Sequence, residues 1–439
     1  MKKIITIHIG GTGISLGERF WEYMFYLNRK QSESEVLNRF GWIRGVHYFP
    51  YGMYVDTGYL GTWGVDYLNK DGSYRQSHLR GSLAPTTGWD TTGSYAFGLS
   101  EGGILAYRII RLLRKIEDNE EIEGFMLCMS AAGGAGSGIG AAVLERLKMI
   151  YPEKKVVSLV VYDSVRESRA PLSFIYNQLF LTQKLAEFSD ATIVLDNHVI
   201  VKKAESAFRS AVPNYWRWNQ ILEKVVFRIM TQFFSEYSTL PGLVDTMVQK
   251  PGCSFLTTSF TPIIGIGQDP VYAQSVDGML DRAFSFADLL VDIGRKVDRH
   301  EDTFLGVNQI VGGKSGDKVS TSHAVWMITN QRMNALNIWP AISTLPLYKR
   351  TGSKLQERPH DVTLLMNSPS ISKDFLVHRI LDPFDRLYAR KAFVHHTKSY
   401  YLNEQHFLEA REKLGFLVQD YETEIKTVNQ MIVDFRDQR

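Results

Sequence analysis

The sequence predicts an α/β protein: a domain with a parallel sheet, then a long central helix, a second mixed α/β domain and a C-terminal helical pair. Two observations carry this prediction. Strand-like and helix-like apolar runs alternate over the first half of the chain, and one helical apolar stripe runs through the middle. A chain of 439 residues with 44% hydrophobic content is long enough for two or three domains.

The first half supplies the strands and helices of the predicted parallel sheet. Its helix-like runs lie around residues 20–25, 104–116, 143–150 and 179–185, where apolar residues recur at helical spacing. Alternation of strands and helices is typical of a parallel sheet covered on both faces. The predicted strands are residues 4–9 (IITIHI), 53–56 (MYVD), 125–130 (FMLCMS), 156–163 (VVSLVVYD) and 191–197 (ATIVLDN).

The second half begins with the long helix, whose apolar residues recur every three or four positions from Trp218 to Tyr237. A stripe this wide predicts a helix buried between two domains. Strand-like runs follow at 254–260 and 322–329, with a loop predicted at 311–318. The predicted domain boundaries are 1–205 for the sheet domain, 206–238 for the central helix, 239–372 for the second domain and 373–439 for the C-terminal helices.

Composition narrows the class of protein. Fifty Lys and Arg against 47 Asp and Glu give a formal net charge of +3, which offers no global electrostatic argument for binding nucleic acid or membrane. Cys128 and Cys253 form neither a disulfide framework nor a metal-ligand spacing, so a reduced, cytoplasmic protein is expected. The apolar run after Lys3 is too short for a signal peptide, and no run is long enough to span a membrane.

Two glycine-rich segments indicate a phosphate site. Residues 10–17 (GGTGISLG) and 130–138 (SAAGGAGSG) are predicted to be loops, each of which follows a strand and leads into a helix, where backbone amides and the helix dipole favour an anion. A tight turn with close helix packing gives the same pattern. A third polar loop, residues 84–93 (APTTGWDTTG), is expected at the same sheet edge, and three loops suit a triphosphate better than a pyrophosphate.

A nicotinamide-dependent oxidoreductase is the alternative that the first glycine segment raises. A dinucleotide fold expects an acidic residue about 20 residues after the glycine loop. Asp56 comes much later, and no acid–base pair accompanies a cofactor site. The sequence also contains no Walker lysine. A phosphate group would therefore be met by backbone amides, hydroxyls, helix ends and a cation.

These segments resemble the tubulin and FtsZ superfamily. Residues 10–24 (GGTGISLGERFWEYM) are similar to the first phosphate loop and helix of tubulin, and residues 133–138 (GGAGSG) to the family's glycine-rich signature. Residues 212–219 (VPNYWRWN) resemble the start of tubulin's central helix, and 195–197 (LDN) its other guanine-binding segment. Residues 387–422 resemble the paired C-terminal helices of tubulin, which FtsZ lacks, so the chain looks like a divergent tubulin.

The resemblance implies a GTP-binding cytoskeletal subunit that stacks head to tail into protofilaments, with itself or with a related tubulin subunit. GTP or GDP and Mg²⁺ would be its cofactors. Tyr215 would stack on the guanine, Asn197 and Asn219 would hydrogen-bond it, and Asp56 would hold Mg²⁺ directly or through water. The other nucleotide-binding residues that it implies are Gly10, Gly11, Thr12, Ser15, Thr86, Thr87, Gly88, Ser130, Gly133, Gly134, Ala135, Gly136 and Ser137.

The residues alone also allow simpler roles for three of these positions. Tyr215 could lie in a core, Asn219 on a helix surface and Asp56 in a turn. The chain also departs from the family pattern, with Gly58 where a second acid is usual and Phe174 where a ribose-binding glutamate is expected. Glu167 is the substitute that the sequence offers for that glutamate.

The departure with most consequence concerns hydrolysis. In the family, the loop after the central helix completes the nucleotide site of the next subunit, and the matching stretch is residues 240–250 (LPGLVDTMVQK). Val248 falls where the catalytic acid would be, and valine can neither accept a proton nor orient water. The chain is therefore expected to be the β-like member of a heteropolymer, because β-tubulin also lacks that acid, or to use Asp245 as its catalytic acid. The alternative function is a tubulin-fold nucleotide-binding regulator that does not polymerise.

Overall fold

The computed structural model describes residues 2–29, 34–44, 47–57, 93–164, 172–208, 239–248, 250–263, 278–279, 282–283, 288–292, 303–313, 337–338, 342–344, 348–349, 360–368, 370–395 and 402–437. The long helix predicted at 218–237 and the strand predicted at 322–329 lie outside these residues. The chain forms two compact units. The first contains Met1–Thr192, Phe234–Pro241 and Ile380–Leu414, and the second Ile193–Phe233, Gly242–Arg379 and Gly415–Arg439.

The first unit has the alternating strands and helices that the sequence predicts. Its elements are β1 (Lys3–Ile9), α1 (Gly10–Arg29), α2 (Ser34–Phe40), β2 (Gly41–Arg44), β3 (His47–Pro50), β4 (Gly52–Val55), α3 (Tyr95–Glu117), β5 (Ile122–Ser130), α4 (Gly140–Ile150), β6 (Lys155–Tyr162) and α5 (Phe174–Phe188). A π-helical turn, Ala135–Ile139, precedes α4. Strands β2 and β3 form a separate antiparallel hairpin.

The main sheet of this unit is parallel, with the strand order β4-β1-β5-β6. Ile9 lies opposite Val55 on one side and opposite Met129 on the other. All residues of β1 are buried, as expected for a parallel strand covered on both faces. The prediction of a parallel sheet in the first half of the chain is confirmed, and the carboxyl ends of its strands meet at one edge.

The chain leaves the first unit within β7 (Ala191–Asp196). The later elements are α6 (Asn197–Phe208), α7 (Leu240–Met247), β8 (Phe255–Thr261), β9 (Thr303–Phe304), β10 (Gly306–Gly313), β11 (Asn337–Ile338), β12 (Ile342–Thr344), β13 (Tyr348–Lys349), β14 (His360–Asn367), a π-helix (Ile371–Leu381), α8 (Asp382–Tyr388) and α9 (Glu404–Asp437). The predicted C-terminal helices are thus present.

The second unit contains a mixed sheet. Strand β14 is antiparallel to both β8 and β10, whereas β12 and β13 are parallel to β10. The prediction of a loop at 311–318 is wrong for its first residues, because Val311 and Gly313 continue β10 opposite Val362 and His360 of β14. Within this unit the Tyr421 hydroxyl of α9 receives a hydrogen bond from the Phe255 amide at 2.9 Å, which attaches the helix to the start of β8.

Candidate functional site

The carboxyl edge of the parallel sheet collects several of the predicted site residues. Since Ile9 lies opposite both Val55 and Met129, the next residues along the three strands are Gly10, Asp56 and Ser130. Gly10 has φ of 70°, a left-handed conformation that lets the chain turn directly out of the strand. The carboxyl ends of three neighbouring strands therefore bring a glycine and two polar residues to the same edge of the sheet, as the sequence predicts.

The first glycine-rich segment is helical, so the prediction of a loop at 10–17 is wrong. Helix α1 begins at Gly10, and Gly13 and Gly17 lie within it. A Cβ at Gly13 would come within 2.2 Å of the Cys128 carbonyl oxygen, and one at Gly17 within 2.5 Å of the His8 ring. These two glycines therefore allow α1 to pack closely on the sheet. The half-buried Gly11, Thr12 and Ser15 form the exposed side of the first turns of α1.

The second glycine-rich segment is a short bend followed at once by helix. Residues 131–133 form the bend, and the chain is helical from Gly134 through the π-turn into α4. The Gly133 carbonyl oxygen accepts hydrogen bonds from the Ser137 amide at 2.9 Å and from the Ser137 hydroxyl at 2.7 Å. The amides that open a helix have no acceptor inside it, and together with the helix dipole they favour an anion.

The two glycine-rich segments lie in direct contact. A Cβ at Gly10 would come within 2.9 Å of the Gly136 amide nitrogen and within 3.5 Å of the Ala135 Cβ. A Cβ at Gly136 would in turn come within 2.4 Å of the Ser130 carbonyl oxygen. The predicted convergence of these two segments is therefore observed, and bare backbone is what permits the approach.

Gly133 and Gly134 differ in what surrounds them. A Cβ at Gly134 would come within 2.5 Å of the Ser94 amide nitrogen, so this glycine is required by packing between segments. Gly133 is exposed, and no described atom lies within 4 Å of where its Cβ would be. Among the described residues, Gly133 is thus the glycine of this segment whose Cβ position no other atom approaches. Helix α3 packs equally closely, since a Cβ at Gly98 would come within 2.1 Å of the Gly134 carbonyl oxygen.

Asn177 is a buried residue of this region that the sequence analysis did not single out. Its side chain, on α5, hydrogen-bonds the backbone of Gly93, Tyr95 and Ala132. The third predicted loop ends at Gly93, whereas Thr86, Thr87 and Gly88 lie outside the described residues. One signal was available, because an asparagine inside the apolar run FIYNQLFL has to find polar partners if that run is buried.

Asp56 is the acidic residue at the sheet edge. It is buried, and its Oδ1 accepts a hydrogen bond from the Thr57 amide at 2.7 Å. Across the described part of the chain, no three His, Cys, Asp or Glu side chains come together as metal ligands. Proteins usually hold Mg²⁺ at phosphates with one or two carboxylates together with phosphate oxygens and water, and Asp56 offers one carboxylate at this edge.

The predicted base-binding residues belong to the second unit. Asn197 is half-buried and begins α6, while Tyr215 and Asn219 lie outside the described residues. The preceding Asp196 is fully buried; its Oδ1 accepts a hydrogen bond from the His198 amide at 2.9 Å, and its Oδ2 pairs with Arg379. Burial raises the pKa of Asp196, an effect that the Arg379 charge opposes. This anchored carboxylate caps the helix that presents Asn197.

The position at which the family resemblance would place a ribose-binding residue is occupied by an apolar side chain. Phe174 is buried at the first position of α5, where the resemblance would place a glutamate. Glu167, the proposed substitute, lies outside the described residues.

The stretch expected to reach a neighbouring subunit is mostly helical. Its first eight residues form α7, so the prediction of a loop over 240–250 is wrong for this part. Asp245 is exposed on the last turn, whereas Val248 is half-buried and its amide donates to the Val244 carbonyl oxygen at 2.7 Å. Where α7 begins, the Leu240 amide donates to Glu123 Oε1 at 2.6 Å, and Glu123 Oε2 pairs with Arg39 at 2.7 Å.

Glycine-rich segments at the carboxyl edge of a parallel sheet are typical of nucleotide-binding α/β proteins. Residues 3–205 match the tubulin/FtsZ family, GTPase domain. The chain is 24% identical over 96% of its length to 97% of a nucleomorph tubulin alpha chain of Guillardia theta. Over 96% of its length it is also 26% identical to the tubulin alpha-2 chain of Eleusine indica and to the tubulin alpha-6 chain of Naegleria pringsheimi. The alignments cover 97% and 95% of these two relatives.

Residues 3–205 therefore form a GTPase domain of the tubulin/FtsZ family, and the chain is similar to tubulin alpha chains along nearly its whole length. Membership of this GTPase-domain family implies GTP or GDP as the nucleotide. Among the described residues, no helix combines the length and the apolar character needed to cross a lipid bilayer.

Proposed function

We propose that this protein is a GTP-binding cytoskeletal subunit that assembles head to tail into tubulin-like protofilaments. The observation that carries the proposal is that no described atom lies within 4 Å of the Gly133 Cβ position, in the same segment that contacts Gly10 through Gly136 in a GTPase domain. A phosphate group fits there because backbone amides can approach it without obstruction from side chains.

The proposed roles of the other residues follow from their chemistry. Thr12 and Ser15 supply hydroxyls for phosphate oxygens, whereas the Ser137 hydroxyl donates to the Gly133 carbonyl oxygen and would hold Gly133 in place. Asp56 binds Mg²⁺, which would neutralise part of the phosphate charge. Thr86, Thr87 and Gly88 are proposed to add contacts from the third loop, and Gly11, Gly134 and Ala135 from the two glycine-rich segments. Guanine is proposed to be bound by Asn197, Asn219 and Tyr215.

The phosphate site is tested by substituting Gly133. Because a Cβ there meets no described atom within 4 Å, Gly133→Ala should leave the stability of the fold nearly unchanged while it lowers GTP affinity by about tenfold. Isothermal titration calorimetry with GTP, GDP and competing ATP measures affinity and guanine selectivity. An unchanged GTP affinity in Gly133→Ala, or equal competition by ATP, would contradict the proposed site.

Assembly is tested by pelleting the protein with GTP and with GDP. We propose that α7 of one subunit meets the nucleotide of the next, as the family resemblance implies. A supernatant fraction that does not change with GTP or with protein concentration would instead favour a regulator that binds nucleotide without polymerising. Pelleting should also be repeated with whichever tubulin subunit co-purifies with the chain, because the proposed β-like role requires a partner.

Hydrolysis is proposed to be slow in the protein alone, since Val248 supplies no acid or base. Val248→Glu should raise GTPase activity in proportion to assembly, and general acid–base help is typically worth about 10²- to 10⁴-fold. Asp245 is exposed on α7 and is the competing candidate. If the assembled wild-type protein hydrolyses GTP rapidly and Asp245→Ala abolishes this activity, Asp245 is the catalytic acid. The main support for a β-like subunit would then be lost.

A further inference from the structure

Asn177 connects two segments that the sheet does not connect. We propose that it is a positioning residue that couples the glycine-rich segment to Gly93 and Tyr95 at the start of α3, so that the glycine-rich segment is held in one arrangement for phosphate binding. This inference rests on the proposed nucleotide site. The Asn177 Nδ2 donates to the Gly93 and Ala132 carbonyl oxygens, each at 2.7 Å, and the Asn177 Oδ1 accepts from the Tyr95 amide at 2.9 Å.

The partners of Asn177 determine the orientation of its amide. Two of them are carbonyl oxygens, which only accept, and the third is an N–H, which only donates. Only one of the two amide orientations satisfies all three, so the side chain has a single arrangement here. Asn177 is 2% exposed, and water therefore cannot easily replace a lost bond.

The two connected segments are the ones proposed to meet the phosphates. Ala132 lies between Ser130 and Gly133, whose Cβ position no described atom approaches, and Gly93 is the last residue of the polar sequence segment 84–93. The Tyr95 amide opens α3, and Ser94 makes no side-chain capping bond among the described residues. Asn177 thus caps α3 from α5. Movement of either segment away from the other would break hydrogen bonds that Asn177 makes.

Loss of this connection should affect phosphate binding more than base binding. Asn177→Ala leaves two carbonyl oxygens and one amide without their buried partner. The segments can then separate, and contacts to the β- and γ-phosphates weaken, whereas contacts to the base do not depend on this bond. The ratio of the GMP and GTP dissociation constants measures the phosphate contribution, and we expect it to fall by about tenfold in Asn177→Ala.

Thr182→Val provides the matched control. Thr182 is also fully buried on α5 and shares a hydrogen bond with the Tyr162 hydroxyl at 2.9 Å. Its loss should lower stability without changing the GMP-to-GTP ratio. Calorimetric titrations of the full chain with GMP, GDP and GTP, with circular dichroism to confirm folding, compare the three proteins.

Asn177→Asp adds a second readout, independent of the first. Its ionised carboxylate would face the two carbonyl oxygens and repel them, while the protonated acid could donate to one of them and still accept from the Tyr95 amide. The GMP-to-GTP ratio of Asn177→Asp should therefore return toward that of wild type as the pH falls from about 8 to about 5.5. Wild type measured at each pH corrects for titration of the nucleotide itself.

The outcomes separate the two proposals. A wild-type protein that binds GTP no better than GMP overturns the proposed phosphate site, and this inference with it. A normal wild-type ratio that is unchanged in Asn177→Ala, or that falls equally in Thr182→Val, overturns the positioning role alone. Should Asn177→Ala fail to fold, the pH response of Asn177→Asp decides, and a ratio independent of pH overturns the inference.

Discussion

Two glycines of α3 should respond in opposite ways to the same substitution. Gly98 is buried, and a Cβ there would lie 2.1 Å from the Gly134 carbonyl oxygen and 3.1 Å from the Gly138 Cα. Gly103 is exposed on the same helix, and no described atom lies within 4 Å of its Cβ position. Substituting each with alanine therefore separates helix propensity from packing at two positions five residues apart.

The expected magnitudes follow from these distances. Alanine in a helix interior is favoured over glycine by about 0.5–1 kcal/mol, and Gly103→Ala should gain this amount. At Gly98 the same gain is opposed by a contact more than an ångström shorter than the ordinary 3.4–4 Å. Overpacking of this kind typically costs about 1–3 kcal/mol, so Gly98→Ala should be destabilised overall. Because α3 must move away from Gly134, GTP affinity should fall as well.

The assay is denaturant unfolding followed by circular dichroism, with GTP titration of each folded variant. Gly103→Ala should unfold at higher denaturant than wild type and bind GTP normally. Gly98→Ala should unfold at lower denaturant and bind GTP more weakly. Equal effects of the two substitutions, or a stabilised Gly98→Ala with normal affinity, would refute the close approach of α3 to the glycine-rich segment.

The remaining predictions concern two buried charged or titratable groups. Burial lowers the pKa of His8 to about 3, whereas in the unfolded chain it titrates near its ordinary 6.5. Between pH 3 and pH 6.5 the unfolded state therefore binds a proton at His8 that the folded state does not bind. The contribution of His8 to the free energy of unfolding is fully present above pH 6.5, and it is lost at up to about 1.4 kcal/mol per pH unit as the pH falls toward 3. Acid unfolding should show this loss, and His8→Asn should lack that part of it; an identical acid midpoint and slope in the variant would count against a neutral buried His8. Glu123→Ala removes the carboxylate from Arg39 and from the Leu240 amide, and breaking a buried pair typically costs about 3–5 kcal/mol. Glu123→Gln keeps an acceptor for the amide and should cost less in urea unfolding, so equal losses in the two variants would show that the Leu240 contact contributes nothing.

Much of the first unit could be predicted from the sequence, because its signals are local. Apolar runs bounded by turn residues located β1, β5 and β6 to within a few residues, and strand–helix alternation predicted that they are parallel. The family resemblance likewise rests on short contiguous segments, and residues 3–205 match the family. The wrong predictions concern the glycine-rich segments, which were expected to be loops and are mostly helical.

That difference has a physical reason. A glycine is compatible with a left-handed turn, with close backbone packing and with open space for a ligand, and its neighbours in sequence do not distinguish these uses. Gly10 needs a positive φ, Gly134 needs room for the Ser94 backbone, and no described atom approaches the Gly133 Cβ position. The role of Asn177 depends in the same way on partners 45 and 84 residues distant along the chain.

The sequence by itself determined the resemblance to the tubulin/FtsZ family, the alternating strand and helix order and the edge of the sheet at which the site is proposed to lie. Each of these depends on residue patterns within short windows, where periodicity and turn chemistry act directly. Only the tertiary structure decided which glycines serve packing, which one has a Cβ position that no described atom approaches and which buried amide connects the glycine-rich segment to the start of α3. These properties belong to contacts between segments distant in the chain, and such contacts exist only once the strands are in register and the helices are packed on the sheet.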